Sequence, residues 1–331
     1  MSPQRFRRLV VSTLLTAMLF GVVSLLPGCG GDRDDGWPND KAGPKVVVSF
    51  APLYCFAVNV AGDDAVVRNL LTTTGPHHFN PTDKDARPLR RADLFFVNGL
   101  GLEGDKPETI KKGSGNKSLK MVELGDSIPA DKLCEGSCQH DHGDGEAHEH
   151  GKDPHVWLSP DHAVYLVEGI RDALKEADPA HAAGYERRAA EYVAKLRKLK
   201  EDGLAMLKDK ADRRLVTFHD SMAYFGKAFD LNIVGVVQKN PGTEPNDKQL
   251  RTLLALCADE KNPVRIITVE PQYGTSNSAE QVRKELVRKG VPDPKLVEID
   301  PMETVVAKDL TAGWYEERMR ANLKALAEAM K

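Results

Sequence analysis

Beyond Leu26 the chain has no apolar run long enough to cross a bilayer, which excludes a polytopic membrane protein. It has no excess of positive charge either: 46 lysines and arginines stand against 49 acids in 331 residues, a formal net charge of −3. With no basic stripe along it, nothing supplies the field that nucleic acid requires. The H-E-x-x-H pattern is missing, and with it the helix that presents two zinc ligands one turn apart in many metalloproteases. Cysteine is scarce, at five residues. What is present is an ordinary globular balance, 41% hydrophobic and 29% charged, enough to bury a core. The length suggests two domains rather than one.

Residues 1–28 stand apart from that body. Arg5, Arg7 and Arg8 precede an apolar run of 18 residues, Leu9 to Leu26, which is followed by Pro27, Gly28 and Cys29. A charged start, an apolar stretch and a small residue before a cut site make a secretory signal. The stretch ending at Cys29 resembles the lipobox of bacterial lipoproteins, with Pro27 unusual at its place. That resemblance implies that the Cys29 thiol carries diacylglycerol and anchors the chain to a membrane. An uncleaved span is the alternative, since such a run just reaches across a bilayer. Both readings put the body outside the cytoplasm. Residues 29–44, rich in Gly and Asp at their start, read as a flexible tether. Removing residues 1–28 takes away three arginines and no acid, so the formal charge of −3 becomes −6.

Without Cys29, four cysteines remain: Cys55, Cys134, Cys138 and Cys257. An even count in an oxidising compartment allows three pairings. Cys134 and Cys138 share one loop, which favours that pair or a thiolate role in metal handling.

From Lys45 onward, short apolar runs alternate with helical stretches. Val46–Phe50, Val67–Thr73, Asp93–Asn98 and Leu119–Leu124 read as strands, with helices at Pro52–Ala61 and Asp83–Arg91. Residues 134–152, with four of the ten histidines, have no apolar periodicity and read as a mobile loop. After Pro160 the pattern is helical, with a break at Asp178–Pro179. Tyr185, Ala189, Tyr192, Leu196, Leu199, Gly203 and Met206 then fall on one face of a helix. At about 30 residues that helix would run about 45 Å; two ordinary surface helices are the alternative. A second α/β unit follows, with strands at Leu215–Phe218, Ile233–Val237, Arg265–Val269 and Leu296–Ile299 and a closing helix near Leu310–Met330. The expected fold is α/β: two similar lobes with parallel sheets flanked by helices, joined by a long rigid backbone helix, with a site in the cleft between lobes. The boundaries are an N-terminal lobe at 45–165, linking helices at 166–211 and a C-terminal lobe at 212–331.

Three histidines lie where open α/β sheets bind ligands, in loops at the carboxyl ends of strands. His77 is in GPHHFNPTD after a strand, His155 in DPHVWLSP before a helix, and His219 closes the strand LVTF. Converging imidazoles suit Zn²⁺, which takes nitrogen ligands in tetrahedral geometry. Taken singly, a histidine at a strand end is more often structural, so spacing alone leaves the site open.

The segments SFAPLYCFAVNVAGD, TTTGPHHFNPTDKDARPLRRADLFFVNGLGLE, DPHVWLSP, TFHDSMAYFGKAFDL, VEPQY and EIDPM together resemble, in order, the metal-binding solute receptors of ABC transporters, the zinc and manganese class. The resemblance covers the body from Lys45 to the C-terminus. It implies His77, His155 and His219 as ligands and Asp300, in EIDPM, as the carboxylate that completes the shell. His78 is then a neighbour that could exchange with His77, and Asn80 stands where an acid is common. Water or Glu270 is the alternative to Asp300, which would otherwise cap a helix ahead of Pro301. Asp153 and Asp220 are candidates to orient the imidazoles through their second ring nitrogen. His140, His142, His148 and His150 fit the histidine-rich insert of zinc-specific members, an auxiliary site rather than the primary one. The implied function is capture of Zn²⁺, with Mn²⁺ or iron as alternatives, for a membrane permease and its ATPase. The receptor is expected to be a monomer, with no enzymatic activity and no nucleic acid. An extracytoplasmic zinc hydrolase is the competing class, because three histidines also suit catalytic zinc; a surface adhesin is a third.

Overall fold

Among the described residues eight short strands, several of them largely apolar, each pair in parallel with their neighbours. The computed structural model describes residues 37–38, 42–136, 151–239, 243–273 and 277–331. These residues belong to one compact unit. The expected signal, Cys29, Cys138 and the four loop histidines lie outside the described residues.

The first half runs β1 (Lys45–Val48), α1 (Ala51–Ala61), β2 (Val66–Asn69), α2 (Asp83–Ala86), β3 (Leu94–Val97), α3 (Lys106–Ser114) and β4 (Lys120–Glu123). Two helices follow, α4 (Pro160–Ala177) and α5 (Ala182–Leu207). The second half runs β5 (Arg214–His219), α6 (Ala223–Ala228), β6 (Asn232–Gln238), α7 (Asp247–Cys257), β7 (Ile266–Val269), α8 (Asn277–Arg288), β8 (Lys295–Glu298) and α9 (Trp314–Ala329). The two sheets have the same strand order, β2-β1-β3-β4 and β6-β5-β7-β8. In each, the chain leaves the first strand for one side and later crosses to the other. That reversal opens a crevice at the carboxyl ends of the strands.

The expected helix over Asp83–Arg91 is broken into α2 and a 3-10 turn, Pro88–Arg91, because Pro88 has no N–H to continue the helical ladder. The expected tether is also docked at one point. Trp37 is buried, its indole Nε1 donates to the Pro88 carbonyl at 2.9 Å, and the Arg68 guanidinium lies over its ring. Cys55, Cys134 and Cys257 are buried and no disulfide joins them. Burial pushes the Cys55 thiol up to about 12 and Cys257 up to about 11, so neither is a ready thiolate.

α5 has 26 residues, about 39 Å at 1.5 Å per residue. Tyr185, Ala189, Tyr192, Leu196, Leu199 and Gly203 of the expected stripe are buried, but Leu207 rather than Met206 completes it. Four-residue steps keep a side chain over the same face, and Leu207 is four beyond Gly203. This face packs on α1, α4 and α9. One continuous apolar core therefore includes Phe56 and Leu166 from the first half with Phe225, Leu323 and Leu326 from the second. Gly203 is the point of closest approach: a Cβ there would sit 2.4 Å from Cε1 of Phe229 and 2.8 Å from Cδ1 of Leu323. Gly203→Val is expected to cost about 1–3 kcal/mol through overpacking, read as a lower urea midpoint at unchanged slope. An unchanged midpoint would show that the contact is slack. Among the described residues no helix is long and apolar enough to cross a membrane.

Candidate metal centre

The loops at the carboxyl ends of the strands bring three histidines and one carboxylate together. His77 belongs to a 3-10 turn, Pro76–His78, beyond β2. His155 precedes the 3-10 turn Val156–Leu158 that leads into α4. His219 is the last residue of β5, the strand at the topological switch. The fourth group is Glu303, in the loop after β8. One donor atom from each of the four lies within 4.8 Å of the others.

The individual spacings are tighter than that limit. Nε2 of His77 is 3.1 Å from Nε2 of His155. Oε1 of Glu303 is 3.2 Å from Nε2 of His219, 3.5 Å from that of His77 and 3.8 Å from that of His155. A tetrahedral ion with arms of about 2.0–2.1 Å places its donors about 3.3 Å apart. Four of the six donor spacings, 3.1 to 3.8 Å, bracket that value.

Two of the imidazoles are fixed from behind. Nδ1 of His155 donates to Asp153 Oδ1 at 2.7 Å, and its backbone N–H donates to the same oxygen. Nδ1 of His219 donates to Glu270 Oε1 at 2.6 Å, and Gln272 steadies the other carboxylate oxygen at 2.9 Å. A proton held on Nδ1 leaves the Nε2 lone pair facing inward, which is the form a metal binds. The Asp153 segment is itself anchored: Asn98 donates to the Pro154 carbonyl and the Tyr224 hydroxyl to the Asp153 carbonyl.

Burial opposes charge on His219, but the Glu270 and Glu303 carboxylates outweigh it and raise its pKa to about 10. Burial also resists charge on Glu303, yet the imidazoles of His219 and His77 hold its carboxyl well below the usual range. The cluster without an ion is thus a proton held between carboxylates and an imidazole. A divalent cation supplies the same compensation with more charge.

The structure places Glu303, not Asp300, beside the histidines. Asp300 Oδ1 instead accepts from the Met302 backbone N–H at 2.7 Å, and Asn322 of α9 brackets the Asp300 backbone from both sides. Asp300 therefore shapes the turn that delivers Glu303. Glu270, the alternative fourth donor, holds His219 from behind. Asp153 orients an imidazole, whereas Asp220 does not, because the Nδ1 atoms of His155 and His219 are taken by Asp153 and Glu270; burial and the charge of Asp153 push the Asp220 carboxyl up. His78 is exposed, with its ring centroid 6.5 Å from that of His77, and takes no part in the cluster. Glu303 follows Asp300 by three residues in EIDPME, so an acid in the same loop was the signal available. Its delivery depends on Met302, whose φ of +62° is a left-handed conformation. Methionine gives no hint of that conformation.

The family model described as "ZnuA: Zinc-uptake complex component A periplasmic" matches residues 46–329. The zinc-binding protein AdcA of Streptococcus pyogenes serotype M6 is 33% identical over 295 residues, covering 85% of this chain and 55% of that protein. The chain thus spans about half the length of the AdcA proteins it matches. The manganese-binding lipoprotein MntA of Halalkalibacterium halodurans is 30% identical over 265 residues, 78% of this chain and 82% of that one. The structure of the binding protein FpvC from Pseudomonas aeruginosa, in complex with Mn²⁺, superposes with a TM-score of 0.74 at 27% identity over 87% of this chain and 99% of that one.

Proposed function

The chain belongs to the ZnuA family of periplasmic zinc-uptake components, and on that footing we propose that it is an extracytoplasmic zinc receptor that hands Zn²⁺ to the permease of an ABC transporter. Membership in this solute-binding family makes it a binding protein and not an enzyme. The observation that carries the zinc reading is the donor set, three imidazole nitrogens to one carboxylate oxygen. Imidazole suits zinc, whereas manganese favours carboxylate and water. His77, His155, His219 and Glu303 are the ligands in this proposal, and Zn²⁺ is cargo. Four protein donors close a tetrahedral ion and leave no position for a reactive water.

Manganese is the second reading, favoured by the likeness to MntA and to the Mn²⁺ complex of FpvC. A competition titration of the mature chain decides between them. Zinc should bind one to one and displace manganese, and excess manganese should fail to displace zinc. Manganese binding as tight as zinc would reassign the cargo. The lipid anchor at Cys29 and an auxiliary role for His140, His142, His148 and His150 remain parts of the same proposal. The core shared by both halves through α5 and α9 supports a small tilt between lobes on binding. A wide hinge would have to break that core.

A further inference from the structure

The four donors are not held alike. His155 and His219 each have a carboxylate behind Nδ1. Glu303 rides on a braced loop: Trp157 Nε1 donates to the Pro301 carbonyl at 2.8 Å, and the Val305 N–H donates to the Thr72 carbonyl at 2.9 Å. Among the described residues no carboxylate bonds Nδ1 of His77, and no side chain caps the N-terminus of its 3-10 turn. The turn is gripped from the other end. Lys106, the first residue of α3, donates from Nζ to the His77 carbonyl at 2.9 Å and to the Pro76 carbonyl at 3.4 Å. Next to the turn lies an open cleft of about 460 Å³, lined by Thr72, Thr74, His78, Phe79, Asn80 and Asp85. The turn therefore has room to swing away from the other three donors.

We propose that Lys106 is a positioning residue for the metal site, holding the Pro76–His78 turn so that His77 meets the other donors and thereby setting how fast the ion leaves. The proposal rests on the ligand set given above. Two carbonyls of a three-residue turn on one ammonium leave little freedom to the residue between them. The same ammonium carries positive charge toward a cation site, so its electrostatic effect on the ion is repulsive. Grip and charge thus act in opposite directions, and salt shrinks the part played by this half-buried charge, because the screening length falls to about 4–5 Å near 0.5 M ionic strength.

The experiment loads the mature chain with zinc, adds excess chelator in about 0.5 M salt, and follows release by stopped flow. Lys106→Met is expected to speed release about tenfold or more, the range seen when an orienting partner of a ligand is lost, with association nearly unchanged. Lys106→Arg keeps the donors and the charge and should restore slow release. Thermal midpoints of the zinc-free forms should coincide, which a merely structural role would not give. If Lys106→Met does not fold, Lys106→Leu, which also removes the donor and the charge, carries the same comparison. Release from Lys106→Met within a factor of about two of wild type, or Lys106→Arg as fast as Lys106→Met, would overturn the proposal. Failure of the wild-type chain to bind zinc one to one would instead overturn the ligand set itself.

Discussion

Replacing Glu303 with glutamine is expected to weaken zinc binding about a hundredfold or more, while Asp300→Asn changes it by less than about tenfold. Four-ligand zinc sites are worth about 10–16 kcal/mol, an average near 3 kcal/mol per donor, which is about a hundredfold in Kd. Glutamine retains the shape of Glu303 and removes its charge, leaving three neutral imidazoles to compensate the ion. Asp300 is different. Burial, with the charges of Glu303 and Glu270 adding to it, raises its pKa to about 6. Its Oδ1 serves the Met302 N–H, and asparagine can accept that bond. Isothermal titration of the two variants beside wild type decides the matter. An Asp300→Asn loss as large as that of Glu303→Gln would return Asp300 to the ligand set.

Zinc affinity is expected to rise with pH across the neutral range and to level off above the His219 pKa. Burial disfavours the proton on His219, but Glu270 and Glu303 overcome it and hold the pKa at about 10. An ion must displace that proton, so log K should climb by about one per pH unit between roughly pH 7 and 9. Titrations in two buffers of different ionisation enthalpy should report about one proton released per zinc at pH 8. A flat profile over that window would mean that His219 is already neutral in the empty site.

The same proton links to the stability of the zinc-free protein. His219 is raised from 6.5 to about 10 on folding, so its contribution is full below pH 6.5 and is lost as pH rises through 10. Glu303, held low, contributes above its ordinary carboxylate range and loses that contribution as pH falls through its depressed folded value. The zinc-free melting temperature should therefore fall between about pH 7 and 10, and the zinc-loaded protein should not share that slope. Parallel melting curves with and without zinc would contradict the linkage.

How much of this was legible in the chain differs from residue to residue. Val46–Val48 and Leu94–Val97 read as buried strands because runs without alternation are covered on both faces. The long helix was legible as far as Gly203, because four- and three-residue steps keep a side chain over one face. Its end was not: Leu207, not Met206, is buried, a choice made by packing at the helix terminus. Asp83–Arg91 looked helical by composition, and one proline divided it. The docking of Trp37 had no local signal, since its partners Arg68 and Pro88 are distant in sequence.

The order of motifs around His77, His155 and His219 pointed to the family and the class of fold, because His77 and His219 follow strands and His155 leads into a helix. Composition supplied only the expectation that nucleic acid is not the ligand, since the chain has no basic excess. Only the tertiary structure decided which carboxylate stands beside the histidines. Asp300 and Glu303 share a loop; Asn322 holds the Asp300 backbone, Trp157 the Pro301 carbonyl and the Asp300 side chain the N–H of a left-handed Met302, and the turn brings Glu303 to the histidines. Only the tertiary structure gave Glu270 its role behind His219, 51 residues away in the chain. Residue type carries the chemistry a position can perform, but which donors meet depends on backbone turns fixed by contacts remote in sequence.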